Sequence, residues 1–160
     1  MAKVTILSGV PGSGKSHYVK GLRTDPWLVY SADDWFMSSG SYVFVPAQLP
    51  QAHGACLRSF VEYVVRGVAG DMVVDNTNTT VAEIAPYAAL ALAYGHTLEI
   101  ITIECDPAIA AARNVHGVPL HAIKAMTKRL AARELPPWWP HTVIPYTQDQ
   151  GLTTVNERLI

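Results

Sequence analysis

A chain of 160 residues with 16% charged residues and a mean hydropathy of +0.16 is too apolar for intrinsic disorder, which needs low hydrophobicity and high net charge. Twelve Lys and Arg against thirteen Asp and Glu exclude the global basic field of DNA-coating proteins. The length suits one domain, residues 1–160, whose core needs neither disulfides nor a structural metal. Cys56 and Cys105 are the only cysteines, which fits a reduced, cytoplasmic protein. The N-terminus lacks a signal pattern. The longest apolar stretch, from Ala85 to Tyr94, is interrupted by Pro86 and falls short of the roughly 20 residues of a membrane span. A soluble protein with no membrane partner is expected.

Short β-branched runs alternate with longer helical ones. Lys3–Leu7 (KVTIL) reads as a buried strand. A glycine-rich turn follows, then a helix from Lys15 to Leu22. Trp27–Tyr30 is the second strand. Residues 36–46 read as a loop, after which Pro46 opens a helix to about Arg66. Met72–Asp75 is the third strand and Thr80–Tyr94 a helix stopped at Gly95. Thr97–Glu104 is the fourth strand. Asp106 caps the next helix, with Pro107 at its first position. His116-Gly117-Val118-Pro119 breaks that helix and reads as a hinge. Ala122–Glu134 is the last helix, ended by Pro136-Pro137, and Thr142–Ile144 offers a fifth strand. This alternation predicts an α/β fold with a parallel sheet and helices on both faces. Ligands of such sheets bind beyond the carboxyl ends of the strands.

Gly9-Val10-Pro11-Gly12-Ser13-Gly14-Lys15-Ser16 fits G-x-x-x-x-G-K-[ST] between a strand and a helix, the context that supports a phosphate loop. The glycines let successive N–H groups converge on phosphate oxygens. The helix N-terminus adds partial positive charge. Lys15 reaches the β- and γ-phosphates of ATP, and Ser16 offers its hydroxyl to Mg²⁺. Gly9, Gly12, Ser13, Gly14, Lys15 and Ser16 are therefore the expected nucleotide site.

Asp33 and Asp34 follow the second strand directly. A kinase needs a base there for the acceptor hydroxyl's proton. Adjacent side chains diverge, so one aspartate is expected to cap a helical turn and the other to act as base. Asp75 ends the third strand, where a carboxylate orients Mg²⁺ or its waters. Between Arg113 and Arg133 lie five basic residues and no acid. The bland reading is a solvated helix face, and Arg133 is assigned to it. The sharper reading is a helical lid, about residues 113–134, with Arg113 neutralising charge during transfer. Trp35, Phe36, Tyr42, Phe44, Trp138 and Trp139 sit in or near loops, where aromatics either stack on bases or pack on the sheet.

GVPGSGKS, SADDWF, VVDNTNT and AARNVHGVP together resemble the small P-loop kinases related to polynucleotide 5′-hydroxyl kinase, over about Val4 to Arg133. That family includes phage kinases of 5-hydroxymethyluracil in DNA. The resemblance implies a P-loop NTPase fold, ATP and Mg²⁺ as cofactors, and nucleic acid as partner. It implies Asp33 as the base, Arg113 as a phosphate-contacting residue, and Asp75 with Asn76 beside the metal and acceptor. Asp34 and Phe36 complete the implied acceptor side. Phe36 stands where phage polynucleotide kinase carries an arginine that grips the acceptor's phosphate, which points away from a 5′ end and toward a base hydroxymethyl. A small-molecule or nucleoside kinase and a non-catalytic NTP-binding module remain as alternatives.

Overall fold

The computed structural model describes residues 1–22, 25, 28–37 and 40–145. At its centre runs β1 (Lys3–Ser8), in which Val4, Ile6 and Leu7 are fully buried. A strand covered on both faces requires such an unbroken apolar run. β2 (Val29–Tyr30), β3 (Met72–Asp75), β4 (Thr97–Ile103) and β5 (His141–Ile144) complete a five-stranded sheet in the order β2-β3-β1-β4-β5. All its pairings are parallel.

Side chains alternate across the pleat. Val4 and Ile6 of β1, Val74 of β3 and Ile100 of β4 pack with Phe60 of α3 (Leu49–Arg66) and Ile84 of α4 (Val81–Ala93). Leu7, Val73 and Ile101 point to the other face, where Tyr18 of α1 (Lys15–Gly21) covers them. The chain leaves β1 toward β2 on one side, and leaves β3 toward β4 on the other. The carboxyl ends of neighbouring β1 and β3 therefore flank the point where the topology switches direction, the place where open α/β sheets bind ligands.

Local sequence explains the boundaries. Thr80 accepts from the Glu83 amide at 3.3 Å while the Glu83 carboxylate accepts from the Thr80 amide at 2.9 Å, a reciprocal cap on α4. Asp106 accepts from the amides of Ala108 and Ile109 and starts α5 (Pro107–Arg113). α6 (Leu120–Ala132) follows. The expected second strand is shortened to Val29–Tyr30, and its Trp27 end lies outside the described residues. The expected loop at 36–46 opens instead with the end of a helical turn, α2 (Asp33–Phe36). It closes on a tighter 3-10 turn, Pro46–Gln48, so α3 starts at Leu49 rather than Pro46.

Arg133 is not solvated. Its guanidinium donates to Ser8 Oγ at 2.6 Å, the Asn78 carbonyl at 2.5 Å and Thr102 Oγ1 at 2.8 Å. Three oxygens from the carboxyl side of the sheet outcompete water there, and burial pushes the guanidinium's pKa down. Charged hydrogen bonds contribute about 1.5–3 kcal/mol each before that desolvation is counted. Arg129 donates to Thr79 Oγ1 at 3.2 Å. Together they fasten the far end of α6 to the sheet.

Candidate active site

The phosphate loop leaves β1 and is shaped by close approaches. A side chain at Gly12, where φ is +80°, would lie 2.1 Å from the Ala110 carbonyl of α5. One at Gly9 would meet Ser13 Oγ at 2.7 Å and the Ile103 carbonyl at 2.8 Å. The Gly9 amide donates to the Thr77 carbonyl at 3.0 Å, tying the loop to the turn after β3. Gly14, in the left-handed region, opens α1, whose first amides have no carbonyl within the helix to bond.

Lys15 stands inside this loop. Its Nζ donates to the carbonyls of Gly9 at 2.9 Å and Val10 at 3.0 Å. Burial lowers its pKa, opposed by the charges of Asp75 and Asp33. Burial raises the Asp75 carboxyl, which Lys15 pulls back down and Asp33 and Asp34 push up. A desolvated ammonium among carbonyls and unpaired helix amides suits phosphate oxygens. The Ser16 hydroxyl and the Asp75 carboxylate, both on the same cleft, form an oxygen donor set for a hard cation. Among the described residues no group of three or more His, Cys, Asp or Glu forms a metal cage.

The cleft, about 500 Å³, brings together Gly12, Gly14, Lys15, Ser16, Asp33, Asp75, Asn76 and Arg113 among its lining residues. These residues come from the loop after β1, the start of α1, α2, the end of β3 with the turn that follows it, and the end of α5, so distant sequence segments converge at one sheet edge. Arg113, the last residue of α5, makes no ion pair among the described residues. Asn76 is buried; its Oδ1 accepts from the Ala32 amide at 2.8 Å and its Nδ2 donates to Cys56 Sγ at 3.4 Å. It braces the end of β3 against the turn that carries Asp33. Asn78 does the same for β1. Its left-handed backbone (φ 44°) lets Nδ2 donate to the Leu7 carbonyl at 2.6 Å while its own carbonyl accepts from Ser8 Oγ at 3.0 Å.

Residues 4–133 match the family model described as an AAA domain. The chain belongs to this AAA-domain family. It is also 32% identical over 131 residues to human NEDD4-binding protein 2, covering 77% of this chain and 7% of that protein. A chain of the Pnkp1/Rnl/Hen1 RNA repair complex superposes with a TM-score of 0.64 at 18% identity, over 82% of this chain and 44% of that one. The Mycobacterium tuberculosis APS kinase CysC, solved with AMPPNP and APS, superposes with a TM-score of 0.55 at 16% identity, over 94% of this chain and 91% of that one. The chain thus spans less than half the length of the first two relatives. The structural likeness establishes an α/β P-loop NTPase fold. No helix among the described residues is long and apolar enough to cross a membrane.

In this AAA-domain chain four expected site residues lie off the cleft lining. Gly9 and Ser13 form the base of the phosphate loop, with Ser13 Oγ buried and without a hydrogen-bond partner among the described residues. Asp34 lines a separate cavity with Tyr30, Ser31, Trp35 and Cys56, and burial raises its carboxyl. Phe36, expected on the acceptor side, lies off the cleft lining. It is 4% exposed and packs into the core with residues of α3 and α4. Its ring packs against Phe44 at 5.0 Å and Tyr42 at 6.1 Å. Tyr42 and Phe44 face the cleft in its place, joined by His53 and His116. The two histidines carry no sequence signal at this site. Phe36→Arg is accordingly expected to bury an unpaired charge and destabilise the fold by on the order of 3–5 kcal/mol, visible as a lowered thermal midpoint. A wild-type midpoint would mean that this position opens to water.

Proposed function

We propose that the protein is an ATP-dependent kinase that transfers the γ-phosphoryl group to a hydroxyl of nucleic acid, either 5-hydroxymethyluracil in DNA or a 5′-hydroxyl end. The observation that carries this reading is that the Asp33 carboxylate and the Lys15 cradle share one cleft. A pure nucleotide-binding module needs no base opposite its phosphates. The ordered motifs at residues 9–16, 31–36, 73–79 and 111–119 support the nucleic acid acceptor.

Lys15 and the loop amides hold the β- and γ-phosphates. Asp33 accepts the proton of the acceptor hydroxyl as its oxygen attacks phosphorus. Arg113 reaches the transferring group from the end of α5 and offsets its charge. Ser16 and Asp75 are the residues that would hold Mg²⁺, which when bound neutralises phosphate charge. Arg113→Ala is expected to lower kcat by on the order of 10³-fold with little change in KM for ATP. A change in KM alone would make Arg113 a uniform binding residue.

One assay tests the acceptor. Transfer from γ-labelled ATP is measured to 5′-hydroxyl DNA, 5′-hydroxyl RNA, 5-hydroxymethyluracil DNA and free nucleosides, each across a salt series. Nucleic acid transfer that falls steeply with salt is expected. A second reading, a nucleoside or small-molecule kinase, draws on the formal net charge of −1 and on Lys15 and Arg113 being the only Lys or Arg among the described lining residues. Salt-insensitive transfer to nucleosides alone would establish it. ATP binding without transfer to any acceptor would leave the binding module.

A further inference from the structure

Asp33 is held from two sides, by Tyr42 nine positions along the chain and by His116, far away in sequence. Tyr42 donates its hydroxyl to Asp33 Oδ1 at 3.1 Å. His116 faces Oδ2 with Nε2 at 3.6 Å. The His116 ring lies against Tyr42, with centroids 4.3 Å apart. Three side chains thus close a triangle at the acceptor end of the cleft.

The His116 corner is stiff. Asn114 Oδ1 accepts from the amides of His116 at 3.2 Å and Val118 at 3.0 Å. Asn114 Nδ2 donates to the carbonyls of Ala111 at 3.2 Å and Val118 at 2.9 Å. The break expected as a hinge is therefore a closed turn, and it begins at the residue after Arg113. At the Tyr42 corner, Tyr42 rests on Phe36 of the core. Arg113 at the phosphate end and Asp33 at the acceptor end are joined through this turn, His116 and Tyr42.

We propose that His116 is a positioning residue for Asp33, through which occupancy of the phosphate cradle sets the acceptor end. The proposal rests on the kinase reading of the cleft. Movement of Arg113 toward the phosphates carries the Asn114 turn and His116 with it. His116 in turn fixes the Tyr42 ring and the side of Asp33 that faces it. Tyr42 occupies Oδ1, and 3.6 Å is longer than a hydrogen bond, so Oδ2 keeps room for the acceptor hydroxyl. The acceptor oxygen bonds to the γ-phosphorus as the bond to the β–γ bridging oxygen breaks. The electron pair leaves with ADP and the acceptor proton goes to Oδ2. His116 exchanges no proton in this step.

Amide hydrogen exchange with a non-hydrolysable ATP analogue, run beside steady-state kinetics, tests this on the full chain. In the wild type the analogue is expected to slow exchange at residues 9–16, 113–118 and 40–45. In His116→Ala the slowing at 9–16 persists and that at 40–45 disappears, while kcat falls by on the order of 10²-fold and KM for ATP holds. His116→Gln returns a polar group opposite Oδ2 and recovers part of both effects; it also decides the matter should the alanine variant melt early. His121→Ala, exposed on α6, leaves every readout at its wild-type value. Slowing at 40–45 that survives in His116→Ala, a kcat equal to wild type, or wild-type slowing confined to 9–16 and 113–118 would each overturn the coupling while leaving the nucleotide site standing. No slowing at 9–16 in the wild type would overturn the nucleotide site and the coupling together.

Discussion

Lys15→Ala is expected to abolish phosphoryl transfer while the protein stays folded. Removing one well-placed electrostatic donor from a reaction centre costs on the order of 10²–10³-fold. Lys15 delivers a full charge rather than a dipole, so the loss lies at or beyond that range. The fold does not depend on it. Among the described residues its ammonium donates hydrogen bonds only to the Gly9 and Val10 carbonyls, and burial lowers its pKa. The sign follows from linkage. A lysine whose folded pKa lies below its unfolded value binds fewer protons when folded, so stability rises with pH through that interval. The charged form is therefore the destabilised one in the nucleotide-free protein, and alanine removes the penalty. The thermal midpoint should hold or rise. The stabilisation by added ATP, which follows RT ln(1 + [L]/Kd), should shrink sharply. A variant that turns over normally at saturating ATP would remove Lys15 from the phosphate site.

The sequence displays those parts of the fold that depend on neighbours within a few residues. The run Lys3 to Leu7, the glycine pattern before Lys15, the Asp106-Pro107 start and the terminal aspartate of β3 are all local signals, and each element lies where its signal places it. What is missing from the local record is contact at long range. Arg133 reads as one more cation on a basic helix, yet its partners Ser8, Asn78 and Thr102 are 125, 55 and 31 positions away. His116 meets Asp33 and Tyr42 only after α5 has folded back over the phosphate loop, brought there by the glycine at position 12. Phe36 misleads for a different reason. A single helical turn has too few residues to show a period, so its buried face is not evident until α3 is packed against it. The motif order points to the cleft's phosphate end, because backbone and charge define it; side-chain packing defines the acceptor end.

Asp33→Asn and Asp34→Asn should part company, and the comparison locates the base. Both aspartates open α2, and sequence alone separates them poorly. In the structure they face different spaces. Asp33 lines the cleft with Lys15 and Asp75, its oxygens bracketed by Tyr42 and His116. Asp34 lines the neighbouring cavity beside Tyr30 and Cys56. Asparagine at 33 keeps the shape and still accepts the Tyr42 hydroxyl through its carbonyl, so the loop at 40–45 holds its place. It cannot take the acceptor's proton, and loss of a general base typically costs 10²–10⁴-fold. Binding of a non-hydrolysable ATP analogue, measured by calorimetry, should be unchanged or tighter, since one negative charge facing the phosphates has gone. At 34 the balance reverses. Burial raises that carboxyl, so the neutral amide relieves desolvation and stability holds while transfer falls little. An inactive Asp34→Asn beside an active Asp33→Asn would move the base to the second cavity. Two active variants would mean that the acceptor's proton leaves without a protein base, as a loose, positioning-dominated transfer permits.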